Sequence, residues 1–188
     1  LMPIVLYLPH ELLLSGLILA SITVFYALPI FPKHKNLRML HGWKIFLIAI
    51  VWSCVAGFLP LFYFEMPIQY DDYLLTIQFG LFVICITLPF DIRDLKYDHV
   101  LLGTIPQKLG LKKTKILGLV ILGFTILIEF LKDDFEVVHF IALIISCALA
   151  AVFLMFSTIK QGKYYSSFWV ESMPMIWFAF LVLFIRCF

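Results

Sequence analysis

Long apolar stretches dominate the chain, without the alternation of apolar and polar residues that is typical of barrel strands. Each stretch has about 16–23 residues, the length with which a helix crosses about 30 Å of hydrocarbon. Helices also satisfy their own backbone polar groups in lipid. The pattern therefore predicts an all-α membrane protein with about six transmembrane helices, over residues 8–30, 43–64, 73–90, 115–131, 137–156 and 168–188.

Composition supports this prediction. Hydrophobic residues make up 63% of the chain and charged residues 14%, whereas about a quarter of the residues of a soluble domain are charged. We expect one transmembrane domain over residues 1–188 and no separate soluble domain. The net charge of +2 is too small to indicate a nucleic-acid partner. The four cysteines lie in apolar segments without CxxC spacing, as buried hydrophobic residues do.

Basic residues are concentrated after the first, third and fifth predicted spans. The positive-inside rule therefore predicts that these loops face the cytoplasm, with the first residue on the other side. Such a start, and Leu1 in place of an initiator Met, predict that an upstream segment is missing. The basic loops and their flanks hold twelve of the fourteen basic residues: Lys33, Lys35, Arg38, Lys44, Arg93, Lys96, Lys108, Lys112, Lys113, Lys115, Lys160 and Lys163.

One basic loop also carries three aspartates, Asp91, Asp94 and Asp98. On a helix, this i, i+3, i+7 spacing places the three side chains within an arc of about 60°. They repel each other unless a cation lies among them. One interpretation is a solvated helix start, with Pro89 breaking the span and the acids favouring the first turn. The other is Mg²⁺ held by one or two carboxylates together with a substrate phosphate.

The run that begins with these aspartates resembles a family motif. Residues 91–110 read DIRDLKYDHVLLGTIPQKLG, which is similar to the second aspartate-rich motif of the UbiA-type intramembrane prenyltransferases, DxxDxxxD with a T-L-P-x-x-L-G-like tail. Residues 26–29, followed by a basic stretch, resemble the family's Y-x-x-P and the basic residues that close its fourth helix. Residues 164–166 and 168–171 resemble the entry to its final helix.

The resemblance implies a bundle of about nine helices around a cavity that opens to lipid. It implies Mg²⁺-dependent transfer of an isoprenyl group from an isoprenyl diphosphate to a lipophilic acceptor, often the aromatic ring of a quinone precursor. Asp91, Asp94 and Asp98 would bind Mg²⁺, which neutralises the leaving diphosphate as a Lewis acid. A bacterial inner membrane is the expected location, with the aspartate loop in the cytoplasm.

Candidate contacts to the diphosphate or the acceptor come from seven further residues. For each lysine a topology signal is the competing interpretation, for Tyr26 an aromatic belt, and for Glu171 snorkelling to the interface. Lys44 begins the second span and is expected near the cavity mouth. Arg93 and Lys96 are expected off the aspartate face, toward headgroups, and Glu129 at the interface. The seven are Tyr26, Lys33, Lys35, Arg38, Lys44, Lys96 and Glu171.

Departures from the family pattern are also present. The first aspartate motif is absent, since no Asp precedes Asp71. The six spans would match the family's helices four to nine, so we expect the first three to be missing. Gly103 stands where the family often has a basic residue. One Mg²⁺ does not balance three aspartates and a diphosphate. A non-catalytic or degenerate relative is therefore a second hypothesis, and few midplane charges disfavour a third, a small transporter.

Overall fold

The computed structural model of the chain describes residues 8–28, 42–97, 103–162 and 164–187. Within these ranges the chain forms helices and connecting segments, with no strand. A 3₁₀ turn, Glu129–Leu131, extends the fourth helix, and a π-helix, Tyr165–Val170, precedes the sixth. The α-helices are α1 (His10–Ala27), α2 (Lys44–Tyr63), α3 (Tyr70–Asp94), α4 (Ile105–Ile128), α5 (Val137–Phe156) and α6 (Met173–Cys187).

Five segments of the described chain are long and apolar enough to cross a membrane. His10–Tyr26, in α1, is a shorter apolar helix. An all-helical membrane protein is therefore consistent with the fold, and six spans stays a prediction. The five segments are Lys44–Tyr63, Tyr70–Asp94, Ile105–Leu131, Val137–Phe156 and Tyr165–Phe184.

The predicted spans match some helices better than others. Helices α2 and α5 agree with the predicted spans 43–64 and 137–156 to within one residue at each end. The predicted span 115–131 begins later than α4, which starts at Ile105 and is kinked at Gly110, where φ and ψ are 76° and 166°. Hydropathy reports where lipid contact begins, whereas this helix begins where Thr104 and Pro106 supply helix-start chemistry. Its first turns carry lysines and need not lie in hydrocarbon.

Helix α3 is the centre of the fold, and it packs against α2, α4, α5 and the π-helix. Its Phe82, Leu88 and Ile92 are fully buried. Small residues permit the close crossings that membrane helices favour. At Gly118 of α4, an added Cβ would overlap the side chains of Leu154 and Leu88. This packing holds α3 in a fixed position, and with it the carboxylates of its last turn.

The helices alternate in direction, so polar residues collect at two opposite ends. The Asp91 end contains Lys44 and Asp91, which form an ion pair, and Gln161, which bonds to the backbone of α3. The Asp71 end contains Asp71, whose carboxylate accepts hydrogen bonds from the backbone N–H groups of Asp133 and Asp134 at 2.9 and 3.0 Å. The predicted aspartate site lies at the Asp91 end.

Candidate functional site

Asp91 lies in the last turn of α3 and is only 4% exposed. Lys44, the first residue of α2, reaches it with Nζ 3.0 Å from Oδ1. The side chain of Lys44 is 17% exposed, so water can reach the cation side of this pair. Lys44 therefore lies beside Asp91, the first of the three predicted metal ligands. Its ammonium group already balances the negative charge of that carboxylate.

Asp94 lies one turn further along α3 and pairs with its neighbour Arg93. The guanidinium is bidentate, with Nε–Oδ1 at 2.7 Å and Nη2–Oδ2 at 3.2 Å. It also lies over the ring of Phe90, 5.5 Å from the centroid. The expectation that Arg93 lies away from the aspartates was wrong, because the guanidinium folds back between a carboxylate and an aromatic face.

The interpretation in which Pro89 breaks the span is also wrong, because α3 continues through Pro89 to Asp94. The side chain of Gln161 supports the chain here. Its Nε2 donates to the Pro89 carbonyl at 2.8 Å and to Ser166 Oγ at 2.6 Å. Its Oε1 accepts from the Thr158 N–H at 2.9 Å. This contact could not be predicted, because a single Gln in a connection belongs to no sequence pattern.

The helix that carries Asp91 and Asp94 ends before the position of Asp98, the third predicted ligand. Helix α3 ends at Asp94, and residues 95–97 form a turn in which the Tyr97 N–H donates to the Asp94 carbonyl at 2.8 Å. Asp98 itself lies outside the described residues, as do Lys33, Lys35 and Arg38. No three His, Cys, Asp or Glu side chains of the described residues are grouped to hold a metal ion. The magnesium site stays a prediction that rests on Asp91 and Asp94.

A polar depression of about 440 Å³, which we call the basic groove, lies next to Asp94. Lys96, a predicted diphosphate ligand, lines it opposite Lys160, which comes from the connection after α5. The groove combines three cations with the one carboxylate that Arg93 already pairs. It is lined by Arg93, Asp94, Lys96, Tyr97, Lys160 and Gln161, with Ile159.

The other two predicted contacts that the structure describes lie elsewhere. Tyr26 lines an apolar cavity of about 160 Å³ between α1 and α2, together with Val51 and Trp52. Glu171 is exposed in the turn between the π-helix and α6. The structure therefore places Lys44 and Lys96 beside the predicted metal ligands, and gives Tyr26 apolar surroundings that suit a hydrocarbon or ring better than a phosphate.

Gly103 departs from the family pattern for a physical reason in this chain. Its φ is +54°, in the left-handed region that side chains rarely adopt. A basic residue here would be strained. The next residue, Thr104, caps α4, and its N–H donates to the side chain of Gln107 at 3.1 Å. The tail of the motif thus starts a helix directly after a backbone conformation that favours glycine.

The Asp71 end contains a buried polar cluster that was not predicted. Glu129 was expected at the interface, yet it is 2% exposed. Its Oε2 accepts from Lys132 Nζ at 2.7 Å and from Gln78 Nε2 at 2.8 Å. Gln78 also donates to the Thr125 carbonyl at 3.0 Å. Since Gln78 belongs to α3 and Glu129 follows α4, the cluster joins these two helices.

No family model, curated protein or solved structure matches the chain. The arguments for function therefore come from the residues at the Asp91 end and from the motif that contains them.

Proposed function

We propose that the chain is the C-terminal part of a UbiA-type prenyltransferase, which transfers an isoprenyl group from an isoprenyl diphosphate to a lipophilic acceptor in the membrane. In the family that the chain resembles, the acceptor is often the aromatic ring of a quinone precursor. The Asp91 end would face the cytoplasm of a bacterial inner membrane. The observation that supports this proposal is the position of Asp91 and Asp94 on successive turns at one end of an apolar helix, beside Lys44 and Lys96.

In this proposal Asp91 and Asp94, with Asp98, hold Mg²⁺. Bound Mg²⁺ supplies Lewis-acid neutralisation of the diphosphate as it leaves. The two described carboxylates suit a hard cation, which prefers oxygen ligands. Their present counterions, Lys44 and Arg93, carry N–H donors that match phosphate oxygens equally well.

Charge balance shows how these cations would act on the substrate. Asp91 and Asp94 together are neutralised by Lys44 and Arg93. A diphosphate brings about three negative charges and Asp98 brings one more, so one Mg²⁺ leaves about two units of negative charge uncompensated. Lys96 lines the groove beside Asp94 and is placed to offset part of that charge. We assign diphosphate binding to Lys44 and Lys96, with Lys33, Lys35 and Arg38 as further cations that the motif suggests.

The lipophilic partners need apolar surroundings. The cavity at Tyr26 is lined mainly by apolar side chains, among them Leu47, Val51 and Trp52. It lies between α1 and α2, the helix that carries Lys44 at its first residue. We propose that this cavity receives part of the isoprenyl chain or the acceptor ring. For Glu171, a contact to the diphosphate or the acceptor is supported only by the resemblance to the family.

A non-catalytic relative is the alternative function. The observation that favours it is that Lys44 and Arg93 already neutralise both described carboxylates. A protein that no longer binds Mg²⁺ needs such internal counterions, because an unpaired carboxylate is expensive to bury. In that case the chain keeps the helical scaffold without the transfer reaction.

Diphosphate release by the complete protein separates the two functions. Asp91→Ala and Asp94→Ala should each reduce Mg²⁺-dependent release from an isoprenyl diphosphate by about 10²–10³-fold, because each removes stabilisation of the developing charge. The matched control is Glu136→Ala, which removes a carboxylate that is 63% exposed at the other end and should keep wild-type turnover. If the aspartate variants turn over like the control, the proposed roles are wrong.

A further inference from the structure

We propose that the basic groove binds the phosphate of an anionic phospholipid from the surrounding leaflet. The groove brings Arg93, Lys96 and Lys160 to one depression of about 440 Å³ at the ends of two apolar helices. The proposed prenyl transfer uses Lys96 of this groove for the diphosphate, but it uses neither Lys160 nor a bilayer lipid, so lipid binding goes beyond it.

Charge in the groove favours an anion. Arg93 is paired with Asp94 in bidentate geometry, and this pair is electrically neutral. Lys96 and Lys160 are exposed, and no ion pair within the described ranges holds either of them. Among the described residues, the two lysines that line the depression therefore have no carboxylate paired with them. Gln161 is held in place by three hydrogen bonds and gives the groove a rigid wall.

Position favours a lipid as the source of that anion. The groove lies where α3 ends and where the chain leaves α5, at the ends of two candidate membrane spans. Tyr97 is 83% exposed beside it, as aromatic residues are at a membrane–water boundary. Basic pockets at the ends of transmembrane helices bind phospholipid headgroups in this way.

Exposed apolar side chains at the end of α5, which shortly precede Lys160 in the chain, suit acyl chains. Phe156, the last residue of α5, is 73% exposed, and Met155 beside it is 49% exposed. Both lie a few residues before Ile159 and Lys160, which line the groove. Residues that would contact acyl chains and a residue that would contact the phosphate are therefore close together in the chain. A soluble phosphate would use the cations and leave this surface unused.

Lipid binding by the complete protein in detergent tests the proposal, with native mass spectrometry counting phosphatidylglycerol or phosphatidylcholine on the folded protein. One charge near a membrane surface is worth about fivefold in affinity. Lys160→Gln should therefore bind phosphatidylglycerol about fivefold more weakly, and Lys160→Arg should bind it like wild type. Lys112→Gln, an exposed lysine in the first half of α4, is the matched control and should also bind like wild type.

Three results would overturn the proposal. The first is equal binding of phosphatidylcholine and phosphatidylglycerol by wild type, which would show that charge is not recognised. The second is an equal loss in Lys112→Gln, which would show attraction to the whole basic surface. The third is displacement of phosphatidylglycerol by inorganic pyrophosphate in wild type but not in Lys160→Gln, which would assign the groove to a soluble phosphate. None of these results contradicts the prenyl-transfer proposal, because that proposal gives Lys160 no role and because no turnover is measured.

Discussion

Two lysine–carboxylate pairs lie at opposite ends of the helices and differ in how they are enclosed. Glu129 and Lys132 are three residues apart, and their side chains are 2% and 7% exposed. Asp91 and Lys44 come from different helices, and their side chains are 6% and 17% exposed. The first pair is closed to water and also held by Gln78. The second is reached by water from the Lys44 side.

The difference separates a structural pair from a candidate site. The buried pair, with Gln78 as a third hydrogen-bond partner, joins two helices. A pair that opens to water can exchange its cation for another, and at the Asp91 end a second aspartate and a basic groove lie next to it. Mutations of the closed pair should therefore change stability most, and mutations of the open pair should change ligand binding as well.

Lys132→Met should have the largest effect on stability. It leaves the Glu129 carboxylate buried without its cation, which costs about 3–5 kcal/mol in the free energy of unfolding. Titration with a denaturing detergent measures the loss. Adding Glu129→Gln to the same chain removes the buried charge and should recover most of it. A loss as small as that of a surface substitution would show that the cluster is not closed.

Lys44→Met should have a smaller effect, because water can reach this pair. We expect a loss of about 2 kcal/mol, between the values for buried and exposed ion pairs. Lys113→Met, an exposed lysine of α4, should change stability by less than about 0.5 kcal/mol. The same denaturation measurement ranks the three variants. If Lys44→Met costs more than Lys132→Met, the distinction between the two ends is wrong.

Gly110→Ala tests the non-helical backbone conformation in the first part of α4, at the Asp91 end. Gly110 has φ +76° and ψ 166° inside α4, a conformation essentially restricted to glycine. We expect a loss of about 2 kcal/mol in unfolding free energy. Gly123→Ala in the same helix meets no atom within 4 Å and should instead stabilise the helix by up to about 1 kcal/mol. Equal effects of the two substitutions would show that a side chain at position 110 causes no backbone strain.

Gln161→Leu should have the smallest effect. It removes the donors to the Pro89 carbonyl and to Ser166 Oγ, with a loss of about 1 kcal/mol. Gln161→Glu keeps an acceptor for the Thr158 N–H but lacks the donors, so we expect a similar loss. Hydrogen exchange of the backbone around Pro89 should accelerate in both variants. Unchanged exchange there would show that Gln161 does not hold the end of α3.

The first and last residues of a helix were predictable where the whole helix consists of apolar sequence. In α2 and α5 nearly every residue is apolar, so hydropathy gives their bounds. Helix α3 continues through Pro89 to Asp94, and helix α4 begins at Ile105, before several lysines. Hydropathy does not report either extension, because these residues lie outside the apolar stretches or include a proline. Local chemistry, such as the Thr104 cap, could have placed the start of α4.

The residue types of the candidate site were predictable from the sequence, but the residues with which they form ion pairs and hydrogen bonds were less so. The spacing of Asp91 and Asp94 predicted a shared helical face, but the ion pair of Asp91 with Lys44 joins residues that are 47 positions apart. Such a contact depends on helix packing and leaves no local pattern. Glu129 shows the same limit, because its burial depends on Gln78 from another helix.

Binding of an isoprenyl diphosphate by the complete protein, with Mg²⁺ and with a chelator, tests the central claim most directly. Asp91→Asn is compared with Glu136→Gln, whose side chain is exposed at the Asp71 end. The account predicts tighter binding with Mg²⁺ in wild type and Glu136→Gln, and no magnesium dependence in Asp91→Asn. Magnesium-independent binding in wild type, or full magnesium dependence in Asp91→Asn, would contradict it.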